Sequence, residues 1–196
     1  MQPLFLGGHS ALDFLNTSFA PNGERVETIG DGARYLDWLV AAELLDAMEA
    51  GRLARRFGAK ALDAAAAEAR RVREWARDFL LRFRAAPRGD YSIELGALNK
   101  LLAREARSRE IVPGAQGLEM REQRYFENAN ALNSLPAAQL AALVTGEDPA
   151  LIRECAGDAC TLWFLDRTKS HRRLFCSASA CGNRAKVAAF RERQRG

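Results

Sequence analysis

The stretch Cys176–Arg195, CSASACGNRAKVAAFRERQR, sets two cysteines five positions apart at the head of an arginine-rich segment. Upstream, Cys155 and Cys160 repeat the same spacing, so all four cysteines of the chain form the pattern C-x4-C-x15-C-x4-C. Each close pair can present two thiolates from one tight turn, and the intervening chain can bring the pairs together, which is what a tetrahedral four-thiolate site requires. Soft thiolates in a reducing compartment favour zinc. His171 lies nearby but outside the paired pattern. Two disulfides and a four-cysteine iron–sulfur cluster are the alternatives; the first is disfavoured where thiols are kept reduced. A C-terminal segment this short buries too little apolar surface to fold alone. A closed zinc site contributes about 10–16 kcal/mol to such modules and leaves no position for a reactive water. The expectation is one structural Zn2+ held by Cys155, Cys160, Cys176 and Cys181.

Between the cysteine pairs, Thr161 to Leu165 and Arg173 to Phe175 suit two strands of a hairpin, with the turn at Asp166 to His171. Ser177 can cap a helix running to about Arg193. Free N–H groups at a helix start suit an anionic metal site. On that helix Arg184, Arg191 and Arg195 share a stripe, with Lys186 and Arg193 opposite, while Val187 and Phe190 are expected to pack on the hairpin. Arg167, Lys169, Arg172 and Arg173 crowd the turn.

The charge of the chain is concentrated here. Its net charge is +4, yet the last 44 residues carry ten Lys/Arg against four Asp/Glu, leaving the remainder slightly acidic. A basic segment on a near-neutral body points to a polyanion, most often nucleic acid. The candidate DNA contacts are Arg167, Lys169, Arg172, Arg173, Asn183, Arg184, Lys186 and Arg191. Balancing the anionic metal site is the competing role for Arg172, Arg173 and Arg184. Asn183 could equally bond local backbone, and Trp163 reads better as core than as a stacking platform.

The preceding sequence is mainly helical. Its hydrophobic content of 48% supports a buried core. Ser10 starts a short helix, Pro21-Asn22-Gly23 marks a turn, and residues 24 to 28 suit a short strand. A helix opening at Asp31 is expected to stop at Gly51. A long Ala- and Arg-rich helix spans about 59 to 85, with Leu62, Ala65, Ala69, Val72, Ala76, Phe79 and Phe83 as its buried stripe. Ser92 can cap a further helix to about Arg107, and two β-like runs around Pro113-Gly114 suggest a hairpin. A helix covering Leu140 to Val144 follows. Asp148 and Pro149 then start a short helix that runs into Cys155. No run reaches the roughly 18 apolar residues of a membrane span. The start, MQPLFLGGHS, lacks a basic leader region. Both features point to a cytoplasmic chain.

Cys155…Cys160-Thr-Leu-Trp-Phe-Leu-Asp-Arg, followed by Arg172-Arg173-Leu-Phe-Cys176-x4-Cys181-Gly182-Asn183-Arg184-Ala-Lys186, resembles the CGNR zinc-finger family. Phe175 stands where that pattern leads one to expect Trp. Leu6-Gly7-Gly8…Leu12-Asp13-Phe14-Leu15-Asn16-Thr17 resembles the opening of the ABATE domain, which precedes CGNR fingers in bacterial proteins. The resemblance implies an ABATE-like helical domain over 1–147 and a treble-clef zinc finger over 148–196. It also implies a stress-related transcription regulator, with DNA as partner and a small-molecule ligand for the N-terminal domain. His9, Asp13, Asn16 and Thr17 are candidates to meet such a ligand beside Trp38; ordinary capping roles are the alternative. The N-terminal domain could instead mediate association, as in a homodimer. The competing class is a zinc-stabilised protein-interaction module. His9 and Asp13 lack a clear nucleophile, so the chain is expected not to be an enzyme.

Overall fold

The structure is a computed structural model that describes residues 4–20 and 23–195; the Pro21-Asn22 part of the expected turn lies outside them. The chain begins with helix α1 (Ser10–Leu15), capped by His9 rather than by Ser10, because His9 Nδ1 accepts the Ala11 N–H at 3.1 Å. Two short strands, β1 (Ser18–Phe19) and β2 (Val26–Glu27), pair antiparallel.

Helix α2 (Gly32–Ala41) starts where expected, with the Asp31 carboxylate accepting the Arg34 N–H at 2.8 Å. It ends well before Gly51. Glu43 takes a left-handed conformation (φ 59°), and the Leu44 N–H returns to the Leu39 carbonyl, so the chain turns without a glycine. Asp46 then caps α3 (Ala47–Ala85). Gly51 is helical inside α3; the break falls at Gly58, whose φ of 74° and ψ of 164° only glycine adopts readily. The segment beyond that kink matches the long helix expected from the Ala/Arg pattern. Gly32 sits against it so closely that a Cβ would meet the Leu62 Cβ at 2.4 Å. Asp63 of α3 accepts the Gly32 N–H.

Helix α4 (Ser92–Leu102) stops earlier than expected. Strands β3 (Glu105–Gly114) and β4 (Gly117–Phe126) form an antiparallel ribbon, turning at 115–116 rather than at Pro113-Gly114. A 3-10 turn (Ala129–Asn133) leads into α5 (Ser134–Gly146). Asp148 caps a second 3-10 turn, Pro149–Leu151, with Pro149 at its first position. The expected helix into Cys155 goes no further: β5 (Ile152–Glu154) follows and pairs antiparallel with β6 (Trp163–Leu165). The hairpin partner of β6 is therefore the segment before Cys155, and Arg173 to Phe175 is not a strand.

One apolar core lies between α2, α3 and the 3-10 turn, around Trp38, Leu39, Leu62, Ala65 and Leu132. A second joins α1, the later part of α3, α4 and α5, and it includes Ile152, Trp163 and Leu165 from the C-terminal segment. A third, smaller core holds Phe19, Leu162 and Phe164 with Cys155, Cys176 and Cys181.

Three arginines on α3 fasten the loop between α1 and α2. Arg70 donates to the Ile29 and Gly30 carbonyls, and Arg77 to the Leu15 and Ser18 carbonyls. Arg73 is fully buried and grips Glu27 with two bonds of 2.9 and 2.7 Å. Burial works against the Glu27 carboxylate, yet the Arg73 bonds hold it below the usual carboxylate range.

Candidate metal centre and basic face

The first cysteine pair sits in the bend between β5 and β6. The Cys155 N–H bonds the Leu162 carbonyl, and the Cys160 N–H closes a tight turn on the Gly157 carbonyl. The second pair brackets a wide turn. Ser177 caps it, as expected, by accepting the Ala180 N–H at 3.4 Å. Residues Ala178–Gly182 form a π-type turn before α6 (Asn183–Arg195) begins. Cys181 thus lies in the turn and Arg184 in the first turn of the regular helix.

All four Sγ atoms lie within 4.8 Å of one another. Cys160 and Cys176 are 3.8 Å apart, and Cys176 and Cys181 3.6 Å. A tetrahedron with Zn–S bonds of about 2.3 Å has edges of about 3.8 Å, so these separations fit a zinc ion. A disulfide would need about 2.05 Å, and all four cysteines are free thiols. His171 stays outside, its ring facing the Asp166 carbonyl. The protein holds one structural zinc in this four-cysteine site.

The electrostatics need that cation. Burial, with the neighbouring sulfurs, pushes the Cys160 thiol up to about 11 and Cys176 higher still. Burial also opposes ionisation of Cys181, but there Arg184 prevails: its guanidinium donates to Sγ at 3.0 Å and holds the thiol below its ordinary value. The backbone N–H of Cys176 donates to Cys155 Sγ at 3.3 Å.

The basic residues divide by surroundings. Arg173 is built into the finger: its guanidinium lies 4.2 Å over the Phe164 ring and donates to the Phe175 and Cys176 carbonyls. Its backbone N–H and that of Thr168 both bond the buried Asp166 carboxylate. Arg167 pairs with Glu147 at 2.8 Å. Lys169, Arg172, Asn183, Lys186 and Arg191 are exposed. Val187 and Phe190 correct an expectation: they do not pack on the hairpin but are about half exposed.

Of the five residues expected around a ligand, Asp13, Asn16, Thr17 and Trp38 are buried and His9 is partly exposed. Asp13 Oδ1 accepts the Gly7 N–H at 2.7 Å, and burial raises its carboxyl above the usual range. Thr17 bonds the Phe14 carbonyl and accepts from Arg73. Trp38 is buried 5.5 Å from the Phe14 ring, and its indole N–H meets no acceptor among the described residues. His9 caps α1, and burial lowers its pKa. Asn16 reaches the finger: its side chain donates to the Trp163 carbonyl at 2.9 Å and accepts the Trp163 N–H at 2.8 Å. Two residues on, the Leu165 N–H bonds the Gly7 carbonyl. The 7–17 segment thus forms a joint that covers the outer edge of β6. A Cβ on Gly7 would fall 2.8–2.9 Å from Leu12 and Asp13, so only glycine fits there.

Two family models match the chain in succession. Residues 8–147 match the ABATE model, described as "Putative stress-induced transcription regulator", and residues 152–194 match the CGNR zinc finger. The chain belongs to the ABATE family. No curated protein matches it. Within this ABATE protein, the N-terminal signature that carries the family likeness is the segment on which the finger is seated. That contact and the burial of Arg73 went unseen in the sequence because their partners lie far apart or repeat a common residue type, whereas a place for Arg184 beside the anionic metal site was one of its two readings.

Proposed function

We propose that this protein is a transcription regulator whose zinc-organised C-terminal unit binds duplex DNA through the start of α6 and the adjoining 167–173 loop. The observation that carries the reading is the position of α6. It leaves the metal site with Asn183, Lys186 and Arg191 exposed, and even its apolar Val187 and Phe190 are about half uncovered. Exposed cations on a rigid, metal-anchored helix suit phosphate contacts, and Asn183 at the helix start can reach a base edge. The order of cysteine bend, β6 and ligand-bearing helix start supports the treble-clef description. In this reading the N-terminal domain is the frame that fixes the finger, there is no catalytic step, and the protein acts in the cytoplasm on the genome.

Selection from a pool of genomic fragments by zinc-loaded protein near physiological salt tests this, with Cys176→Ala as control. A few enriched sites, lost in the control and weakened by Lys186→Ala or Arg191→Ala, are expected. No enrichment by intact, zinc-loaded protein would sink it. The exposed Val187–Phe190 stripe favours a second reading, docking of the finger on an acidic protein surface. In that case Phe190→Ala abolishes capture of the partner while DNA is not retained even at low salt.

A further inference from the structure

The β3–β4 ribbon forms a two-stranded sheet of its own, paired over its full length from Glu105↔Phe126 to Gly114↔Gly117. Strands of ten residues extend about 33 Å. A lone two-stranded ribbon is marginal in water, and its outer edges are templates for another strand. Its far end is apolar on one face: Ile111 opposes Met120 and Pro113 opposes Leu118. Ile111, Leu118 and Met120 are 70–78% exposed.

The ribbon does not suit a polyanion. Its four arginines are matched by four glutamates, and Arg107 and Arg109 both pair with Glu122. Its charge pattern is instead complementary to itself. We propose that two copies of the chain form a two-fold dimer in which β4 pairs antiparallel with β4 of the partner, centred on Met120. In antiparallel pairs opposed side chains share a face. Met120 then meets its own copy, and Ile111 and Leu118 of both copies gather around it on one side of a four-stranded sheet. On the other side Glu119 faces the partner subunit's Arg121, and the two-fold repeats that ion pair.

β4 is the edge that can do this, because Pro113 removes a donor from β3. Centring the axis nearer the body, on Gln123, would oppose Glu122 and Arg124, but those groups are engaged within the chain: Glu122 with Arg107, and Arg124 with the Leu44 carbonyl. Glu119 and Arg121 are exposed.

Sedimentation equilibrium of the zinc-loaded full chain decides the matter. A dimer is expected at micromolar concentration. Glu119→Arg or Arg121→Glu alone should raise its dissociation constant at least about ten-fold, since like charges then face each other. The double variant should recover association, because the pair re-forms reversed. Met120→Cys should give an intermolecular disulfide across the axis, and Gln116→Cys should not. A monomer throughout, or a dimer indifferent to these changes, overturns the proposal. So do charge variants that alter DNA retention with no change in mass, which would make the ribbon a nucleic-acid arm.

Discussion

Asn16 and Trp163 are joined by two hydrogen bonds, 147 residues apart in sequence: the Asn16 side chain accepts the Trp163 N–H and donates to its carbonyl. Asn16 is fully buried, so it acts as a short neighbouring strand for the outer edge of β6. Asn16→Ala leaves both backbone groups unsatisfied away from water. The expected loss is about 2–4 kcal/mol, read by thermal unfolding of the zinc-loaded protein. Asn16→Asp should do no better, because it removes the donor and buries a charge. A change under about 0.5 kcal/mol, the range of ordinary surface substitutions, would show the joint to be incidental.

The finger and the helical domain share a core, since Ile152, Trp163 and Leu165 lie among Leu12, Leu15, Phe79 and Leu80. Removing zinc releases the chain that carries these residues, so α1 loses the surface it rests on. Calorimetry of the zinc-loaded chain should show a single unfolding transition. Chelation should lower its midpoint and broaden it, rather than delete a separate finger transition. Two independent transitions, with only one sensitive to chelator, would refute this coupling.

The parts of the molecule that could be read from sequence are the local ones. The four zinc ligands declare themselves because thiolates come in pairs at fixed spacing, and the far part of α3 because Leu62 to Phe79 recur on one face. Asp31, Asp148 and Ser177 act as caps within three residues of themselves. What failed was non-local. Gly51 looked like a terminator, but Glu43 supplied the left-handed turn upstream and Gly58 the kink downstream. The strand partner of β6 lay before the first cysteine, where a helix start had been the nearer signal. That Asn16 docks on the backbone of Trp163 was not legible either, because a polar segment that does so has the same composition as one that meets a small molecule.

Arg184 is set on the metal site. It donates to Cys181 Sγ at 3.0 Å and stabilises the thiolate. Partners of this kind change metal affinity by about 10–100-fold when removed. Arg184→Ala should therefore bind zinc stoichiometrically but yield it sooner to a chromophoric chelator, with Arg184→Lys in between. Unchanged zinc affinity would return Arg184 to the basic face.

Zinc binding should release protons. Without metal, Cys160 titrates near 11 and Cys176 higher, chiefly because burial penalises their thiolates. Both are protonated at pH 7, and both must be thiolates to hold zinc. At least two protons therefore leave on binding, and affinity falls about a hundred-fold for each unit that pH drops. Titration calorimetry in two buffers of different ionisation enthalpy measures the count. Fewer than one proton per zinc would mean the site is ionised before the metal arrives.

The basic residues should separate in a salt titration of DNA binding. Lys186 and Arg191 are exposed along α6, whereas Arg173 is stacked on Phe164 and bonded to two carbonyls of the finger. Each phosphate contact contributes close to one unit of log–log salt slope, so about five contacts give about −4 to −5. Lys186→Ala and Arg191→Ala should each weaken binding and make the slope shallower by about one, with the melting point unmoved. Arg173→Ala should lower the melting point first, and rescue of its DNA binding by cooling would mark the defect as one of folding. If Arg173→Ala instead kept the melting point and lost one unit of slope, its guanidinium would be on the phosphate and not on the carbonyls of Phe175 and Cys176.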